Sequence, residues 1–221
     1  GGQLRVPLTV RVQGGAMGGW GAHHSQSLEA WFHHVPGLRV VVPSTPADAK
    51  GLLKSAIRDD NPVLFVEHRG LYWSRGEVPE GDHVVPLGAA AIRRPGKDVT
   101  LLALSKMVEV ALDAAEQLAA HGLSAEVVDP RCLCPLDLDT IVASVRRTGR
   151  FGVVHEAVEI GGVGAELAAQ IQQAAFDFLD SPVVRVGAPF APVPASPALE
   201  KQYVPGTDRV VNAVLDAMAL P

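Results

Sequence analysis

Several things are scarce in this 221-residue sequence, and each scarcity removes a class of function. Its only two cysteines stand in Cys132-Leu133-Cys134, so no disulfide framework can form, and a reducing, cytoplasmic setting is expected. Basic residues are outnumbered, 19 Lys and Arg against 24 Asp and Glu, for a formal net charge of −5. With no basic stripe, nucleic acid is not an expected partner. No apolar run approaches the roughly 18–20 residues that span a bilayer, so no membrane partner is expected either. The opening GGQLRVPLTVRV has neither an initiator Met nor the basic, apolar and small-residue regions of a signal peptide. What the sequence does have is apolar mass: 48% of residues are hydrophobic and 19% charged, enough for a sizeable core.

Strand and helix patterns alternate along nearly the whole chain, as in a parallel sheet covered on both faces. Val6 to Val12 reads as a strand, a short helix follows from about Ser27 to His34, and Leu38–Val42 is a second strand. Ser44-Thr45-Pro46 is a helix start, with a hydroxyl cap and Pro at the first turn; that helix ends near Asp59. PVLFVE is a buried strand. Residues 68–97 lose all periodicity, are rich in Gly, Pro and charge, and predict an interdomain connection with a short strand or two. A second α/β unit follows: strands at VTLLALS, AEVVDP, FGVVHE and PVVRVG, and helices from Met107 to Gly122, over DLDTIVASVRRTG, from Gly164 to Leu179, and after Thr207-Asp208. The expected division is 1–75, a connection at 76–97, and 98–221. The first unit looks incomplete, because its strands are apolar on both faces and two helices cannot cover both. Another chain, or sequence N-terminal to it, is expected to finish it.

The chemistry-bearing candidates cluster early. GGAMGGWG (residues 14–21) is no P-loop and lacks the strand–GxGxxG–helix order of a dinucleotide site, so a flexible loop is the expectation. Gly161-Gly162-Val163-Gly164 comes nearer to an anion site at a helix start, but short glycine turns are common there. After the glycine loop comes AHHSQSLEAWFH. The spacing of His23, His24, His33 and His34 matches no zinc signature, which disfavours a metal centre. An acid/base role for one of them competes with helix capping or solvent exposure, which spacing alone favours. Asp59, Asp60 and Asn61 read as a solvated helix terminus whose oxygens would also suit a hard cation. Cys132 and Cys134 read as small apolar packing residues.

HSQSLEAWF, PGLRVVVPSTPADAKGLLKSAIRDDNPVLFVEH, LYWSRGEVPEGD, VVDPRCLCPLD and VVHEAVEIGGVGAEL, in that order, carry a family resemblance over essentially the whole chain. The sequence resembles the beta subunit of thiamine-diphosphate-dependent 2-oxo acid dehydrogenases, of the pyruvate, branched-chain and acetoin types. SLEAWF and DNPVLFVEH look most like the acetoin and pyruvate members. The resemblance implies an α/β fold: an incomplete transketolase-like pyrimidine-binding domain, then a doubly wound transketolase C-terminal-like domain. It implies a heterotetramer of two alpha and two beta subunits, with thiamine diphosphate between them and its diphosphate and magnesium held mainly by the alpha subunit. It implies transfer of an acyl group to the lipoyl arm of an acyltransferase core. By the same resemblance His24 is the catalytic histidine, His23 and Gln26 lie at the cofactor, and a structural potassium site maps to the Ala56 carbonyl, Asp59 and Asn61. The family has a tyrosine where His23 stands. The family's cofactor-activating glutamate lies upstream of the family position that Gly1 matches. The resemblance therefore implies that the N-terminal third of a beta subunit is absent, and that these residues alone do not decarboxylate. A non-catalytic assembly module that keeps the subunit interfaces is the alternative; a transketolase or deoxyxylulose-phosphate type is disfavoured, since those chains usually carry both cofactor-binding domains.

Overall fold

A computed structural model describes residues 3–219. The chain forms two sheets. The first has four strands in the order β1-β3-β2-β7, from β1 (Thr9–Gly14), β2 (Arg39–Val41), β3 (Val63–His68) and β7 (Cys132–Cys134). β1 and β2 both run parallel to β3, and β7 pairs antiparallel to β2. The second has five strands in the order β4-β6-β5-β8-β9. Its members are β4 (Ala91–Arg94), β5 (Val99–Ala103), β6 (Ala125–Asp129), β8 (Phe151–Val158) and β9 (Val184–Ala188), all parallel except the edge strand β4.

The helices follow their local signals. Helix α1 (Glu29–His33) is short; α2 (Pro46–Arg58) starts with the Thr45 hydroxyl accepting from the Asp48 amide and Pro46 at its first turn. α3 (Met107–Ala120) ends two residues before Gly122, whose φ is +80°. α4 (Leu138–Thr148) begins on the Asp137 carboxylate, which accepts from the Thr140 amide, and stops at left-handed Gly149. α5 (Val163–Ala175), α6 (Pro197–Tyr203) and α7 (Thr207–Met218) complete the chain.

Three expectations are corrected. The first strand begins at Thr9, not Val6, and half of its six residues are exposed. The short α1 starts at Glu29, not near Ser27: Leu28 occupies the cap position without a side-chain bond, and Ser27 Oγ donates to Glu156. The expected 164–179 helix breaks into a tight turn at Phe176–Phe178, leaving Phe178 outside the core under the Arg146 guanidinium. β2 and β3 of the first sheet are covered on both faces by this chain, while β1 stays partly exposed, in keeping with a first unit that these residues do not complete. One face holds Val41, Val63 and Phe65 against Leu52 and Ala56 of α2. The other places Val40, Leu64 and Val66 in one cluster with Val128, Ile141, Leu167 and Ile171 of the second unit. That second unit also donates β7, whose Cys132 is buried with its thiol pushed up to about 11. On the far face of the second sheet, α3 and α7 pack together over Leu101, Val127 and Val154.

A buried ion network closes the junction. The Arg93 guanidinium of β4 contacts both Asp48 of α2 and Asp129 of β6, the latter at 2.7 Å, and Arg131 reaches Asp48 at 3.2 Å. Burial lifts the Asp129 carboxyl above its usual range, and Arg93 and Ser44 pull against that rise.

Candidate functional site

β1 and β3 are register neighbours, with Gly14 opposite His68, so their carboxyl ends deliver two loops to the same place. Sites in parallel α/β sheets form at such strand ends. Out of β1 comes the glycine loop; out of β3 comes the turn Arg69–Leu71 followed by Tyr72 and Trp73. Between them lies a cavity of about 520 Å3 lined by Gln13, Met17, Trp20, His24, Arg69, Tyr72 and Trp73. The loop can turn so sharply because Gly15, Gly19 and Gly21 take φ values of +86°, +67° and +70°. Met17 shares that left-handed region at +79°, an uncommon state for a side chain with a Cβ. His24 sits on the rim, its amide donating to the Gly21 carbonyl at 3.3 Å. The Arg69 guanidinium lies 5.6 Å from the Trp20 ring centroid, a cation–π contact that ties the two loops.

Behind the loops is a buried acid–imidazole cluster that couples the two units. Glu156 of β8 receives the Ala16 amide at 2.6 Å on one oxygen and meets His68 Nε2 at 2.7 Å on the other. His68 Nδ1 accepts from the Gly70 amide at 3.0 Å, which assigns the Nε2 proton to the Glu156 bond in the neutral ring. Burial raises the nearby Glu29 carboxyl to about 7; Glu156 adds to the rise, while a backbone bond and His68 oppose it. On the other side of His68, Glu67 accepts from Arg11 through both oxygens, at 2.7 and 3.1 Å, and from the Tyr72 hydroxyl at 2.6 Å. That triad fixes Tyr72 at the border of a second cavity, about 410 Å3, reaching Ser44, Thr45 and Lys50.

The residues singled out from the sequence fall in three places. His24 alone lines the cavity between the strand ends. His23 stands beside it, ring centroids 4.4 Å apart, but turned away from the lining. Gln26 is further round, accepting from the Gly15 amide through its carbonyl and lining a smaller space of about 270 Å3 with Ser25, Glu156 and Gly162. Ala56, Asp59 and Asn61 meet at the end of α2, distant in fold from His24. The Ala56 carbonyl accepts from the Asp59 amide, Asp59 Oδ1 takes both the amide and Nδ2 of Asn61 at 2.8 Å, and Arg39 lies 3.0 Å from Asp59 Oδ2. These bonds, more than burial resists, hold the Asp59 carboxyl below its usual value. Among the described residues no three His, Cys, Asp or Glu side chains converge as a metal cluster.

Glu156, Glu200, His68 and Glu29 were not singled out from the sequence. One signal was there: FGVVHEAV carries a histidine and a carboxylate inside a strand buried almost throughout, and such charges are rarely buried unpartnered.

A parallel α/β unit with its candidate site at the strand ends, joined to a doubly wound second unit, defines a two-part protein of the α/β class. Residues 1–74 match the transketolase pyrimidine-binding domain and residues 88–210 the transketolase C-terminal domain. The chain belongs to the transketolase family, and its curated relatives include beta subunits of acetoin oxidoreductases and pyruvate dehydrogenases. It is 48% identical over 221 residues to the acetoin:2,6-dichlorophenolindophenol oxidoreductase subunit beta of Bacillus subtilis, covering 100% of this chain and 65% of that one. It is 45% identical over 215 residues to the pyruvate dehydrogenase E1 component subunit beta of Rhizobium meliloti, covering 97% of this chain and 47% of that one. A solved chain described as split gene transketolase, inactive beta4 tetramer, superposes with a TM-score of 0.80 at 30% identity, covering 98% of this chain and 68% of that one. The chain thus spans about two thirds or less of the length of these curated relatives.

Proposed function

We propose that this chain acts as the beta subunit of a thiamine-diphosphate-dependent 2-oxo acid or acetoin dehydrogenase, in the cytoplasm, within an assembly that includes an alpha subunit and a second beta subunit. The observation that carries the reading is His24 on the rim of an aromatic-walled cavity at the carboxyl ends of β1 and β3. Trp20, Tyr72 and Trp73 offer flat faces suited to a planar heteroaromatic ring, and Gln13 and His24 offer hydrogen-bonding edges. The residues therefore fit the ring end of the cofactor. The diphosphate and its magnesium fall to the alpha subunit in this reading. When bound, thiamine diphosphate supplies the carbon nucleophile for a 2-oxo or acetoin carbonyl.

This chain's contribution is positioning and proton handling. A ring nitrogen of His24 gives or takes a proton at the substrate-derived oxygen as the acyl group leaves for a lipoyl acceptor. The backbone admits the cofactor closely because Gly18 and Gly70 present no side chain there. Trp73 is 89% exposed and Trp20 54%, an aromatic rim that a partner chain would cover and so exclude water. A potassium ion at the Ala56 carbonyl, Asp59 and Asn61 belongs to the same reading; the Arg39 charge on Asp59 would weaken its hold. Catalysis by the assembled complex, and not by this chain alone, follows from a site shared between subunits.

The test is co-purification with an alpha subunit, thiamine-diphosphate titration, and turnover of pyruvate, branched-chain 2-oxo acids and acetoin. His24→Ala should lower acyl transfer to lipoamide by about a hundredfold or more while leaving cofactor affinity within a few-fold. Unchanged turnover would overturn the catalytic role. An assembled complex that binds partners but turns over no panel member would favour a non-catalytic assembly module, a reading that the inactive beta4 tetramer of similar fold keeps in view.

A further inference from the structure

The glycine loop that walls the His24 cavity is held from behind. Within the loop the backbone bonds are sparse: the Gly15 amide to the Gln26 carbonyl at 3.5 Å and the His24 amide to Gly21 at 3.3 Å. The other bonds to its amides come from two carboxylates of the C-terminal domain, the shortest of them from Glu156 at 2.6 Å. Glu156 takes the Ala16 amide. Glu200 of α6 takes the Gly18 amide at 3.3 Å and the Gly19 amide at 3.3 and 3.1 Å, one to each oxygen of its carboxylate in the closest pairings. Left-handed turns at Met17 and Gly19 aim successive amides at one point, the concave arrangement that binds anions. Here the anion is part of the chain, 182 residues away from Gly18 in sequence. Glu200 is only 5% exposed, so an unmade bond would be costly on both sides.

A second cavity, about 390 Å3, lies on the rear of the loop between Met17, Gly18, Gly19, Met107, Val110 and Val204. Met17 and Gly18 line this space and the His24 cavity alike. The loop is thus one residue layer between two cavities, held by Glu156 at Ala16 and by Glu200 at Gly18 and Gly19. We propose that Glu200 is a positioning residue: by clamping Gly18 and Gly19 from the C-terminal domain, it sets the wall of the His24 cavity and hence the rate of acyl transfer. The effect on rate rests on the beta-subunit reading above; the effect on the loop does not.

Two measurements keep these apart. In a chain with Trp31→Phe and Trp73→Phe, Trp20 alone reports on the loop. Glu200→Ala in that background should at least double the acrylamide quenching of Trp20, with Glu200→Gln between the two because it keeps one acceptor oxygen. In the complete complex, Glu200→Ala should lower kcat at least tenfold with KM for the 2-oxo substrate or acetoin within threefold, and Glu200→Gln should recover part of the loss. Gln202→Ala, at an exposed position two residues along the same helix, should change neither readout. If Glu200→Ala prevents folding, the Glu200→Gln pair of readings decides. Unaltered Trp20 quenching in a folded variant overturns the clamp. Altered quenching with unaltered kcat overturns the positioning role alone, and absent turnover in the unsubstituted complex indicts the functional reading instead.

Discussion

Acidification should destabilise this protein through one imidazole more than through any ordinary histidine. His155 lies in β8, 1% exposed, and neither ring nitrogen has a hydrogen-bond partner among the described residues. Its ring is pressed between backbone: a Cβ built on Gly162, Gly164 or Gly187 would come within 2.8, 2.3 and 2.9 Å of it. Burial lowers its pKa to about 4 from 6.5, with Arg185 adding to the fall and Glu159 opposing it. Between those values the unfolded chain carries the proton and the folded chain does not, so stability falls as pH drops from 6.5 towards 4. The interval is about 2.5 pH units, and at about 1.4 kcal/mol each the full loss is about 3.5 kcal/mol, most of it reached by pH 4.5. Against a total stability of about 5–15 kcal/mol that is a large share. His155→Gln keeps the volume and polarity but does not titrate. Urea titrations of both proteins at pH 7.5, 6, 5 and 4.5 cancel every other titrating group in the difference. The unsubstituted protein should lose about 2–3 kcal/mol more than the variant across that range; parallel stability curves would refute the reasoning.

Glu29→Gln tests the neighbouring cluster with the opposite sign. Because burial raises that carboxyl to about 7, its stabilising contribution is complete below its ordinary value and is lost as pH rises towards 7. The variant should therefore melt about 7–14 °C higher than the unsubstituted chain at pH 8, with most of the gain gone at pH 4.5, as read by differential scanning fluorimetry. Arg93→Ala should cost about 3 kcal/mol in urea titration, since it strips a shared cation from two buried carboxylates, Asp48 and Asp129. A loss under about 1 kcal/mol would show that Arg131 and Ser44 suffice.

Much of the fold was legible because its signals are local. Thr45 and Pro46 at the start of α2, Asp137 and Gly149 at the two ends of α4, and Gly122 after α3 act within one helical turn of themselves. The alternation of apolar strands with amphipathic helices carried the two parallel sheets for the same reason. β7 and α6 were not legible: three residues between Pro130 and Pro135 show no periodicity, and α6 is seven residues in a Pro-rich stretch. Their identities as strand and helix come from what they pack on. His24 stood out through its glycine-flanked setting and its family motif, whereas its supports did not. Glu156 meets His68 across 88 residues and Ala16 across 140, distances over which no spacing rule operates.

The order of residues alone therefore determined a two-part, parallel-sheet α/β protein, its helix ends, and a histidine beside a glycine loop, because caps, turns and periodicity are short-range physics. Only the tertiary structure decided that the first sheet takes its fourth strand and its second covered face from the other domain. It also decided that Glu156 and Glu200 hold the loop in front of His24. Those outcomes depend on which buried charges and amides meet when the two sheets close on each other, and hydrogen-bond satisfaction in a shared core is settled there and nowhere along the chain.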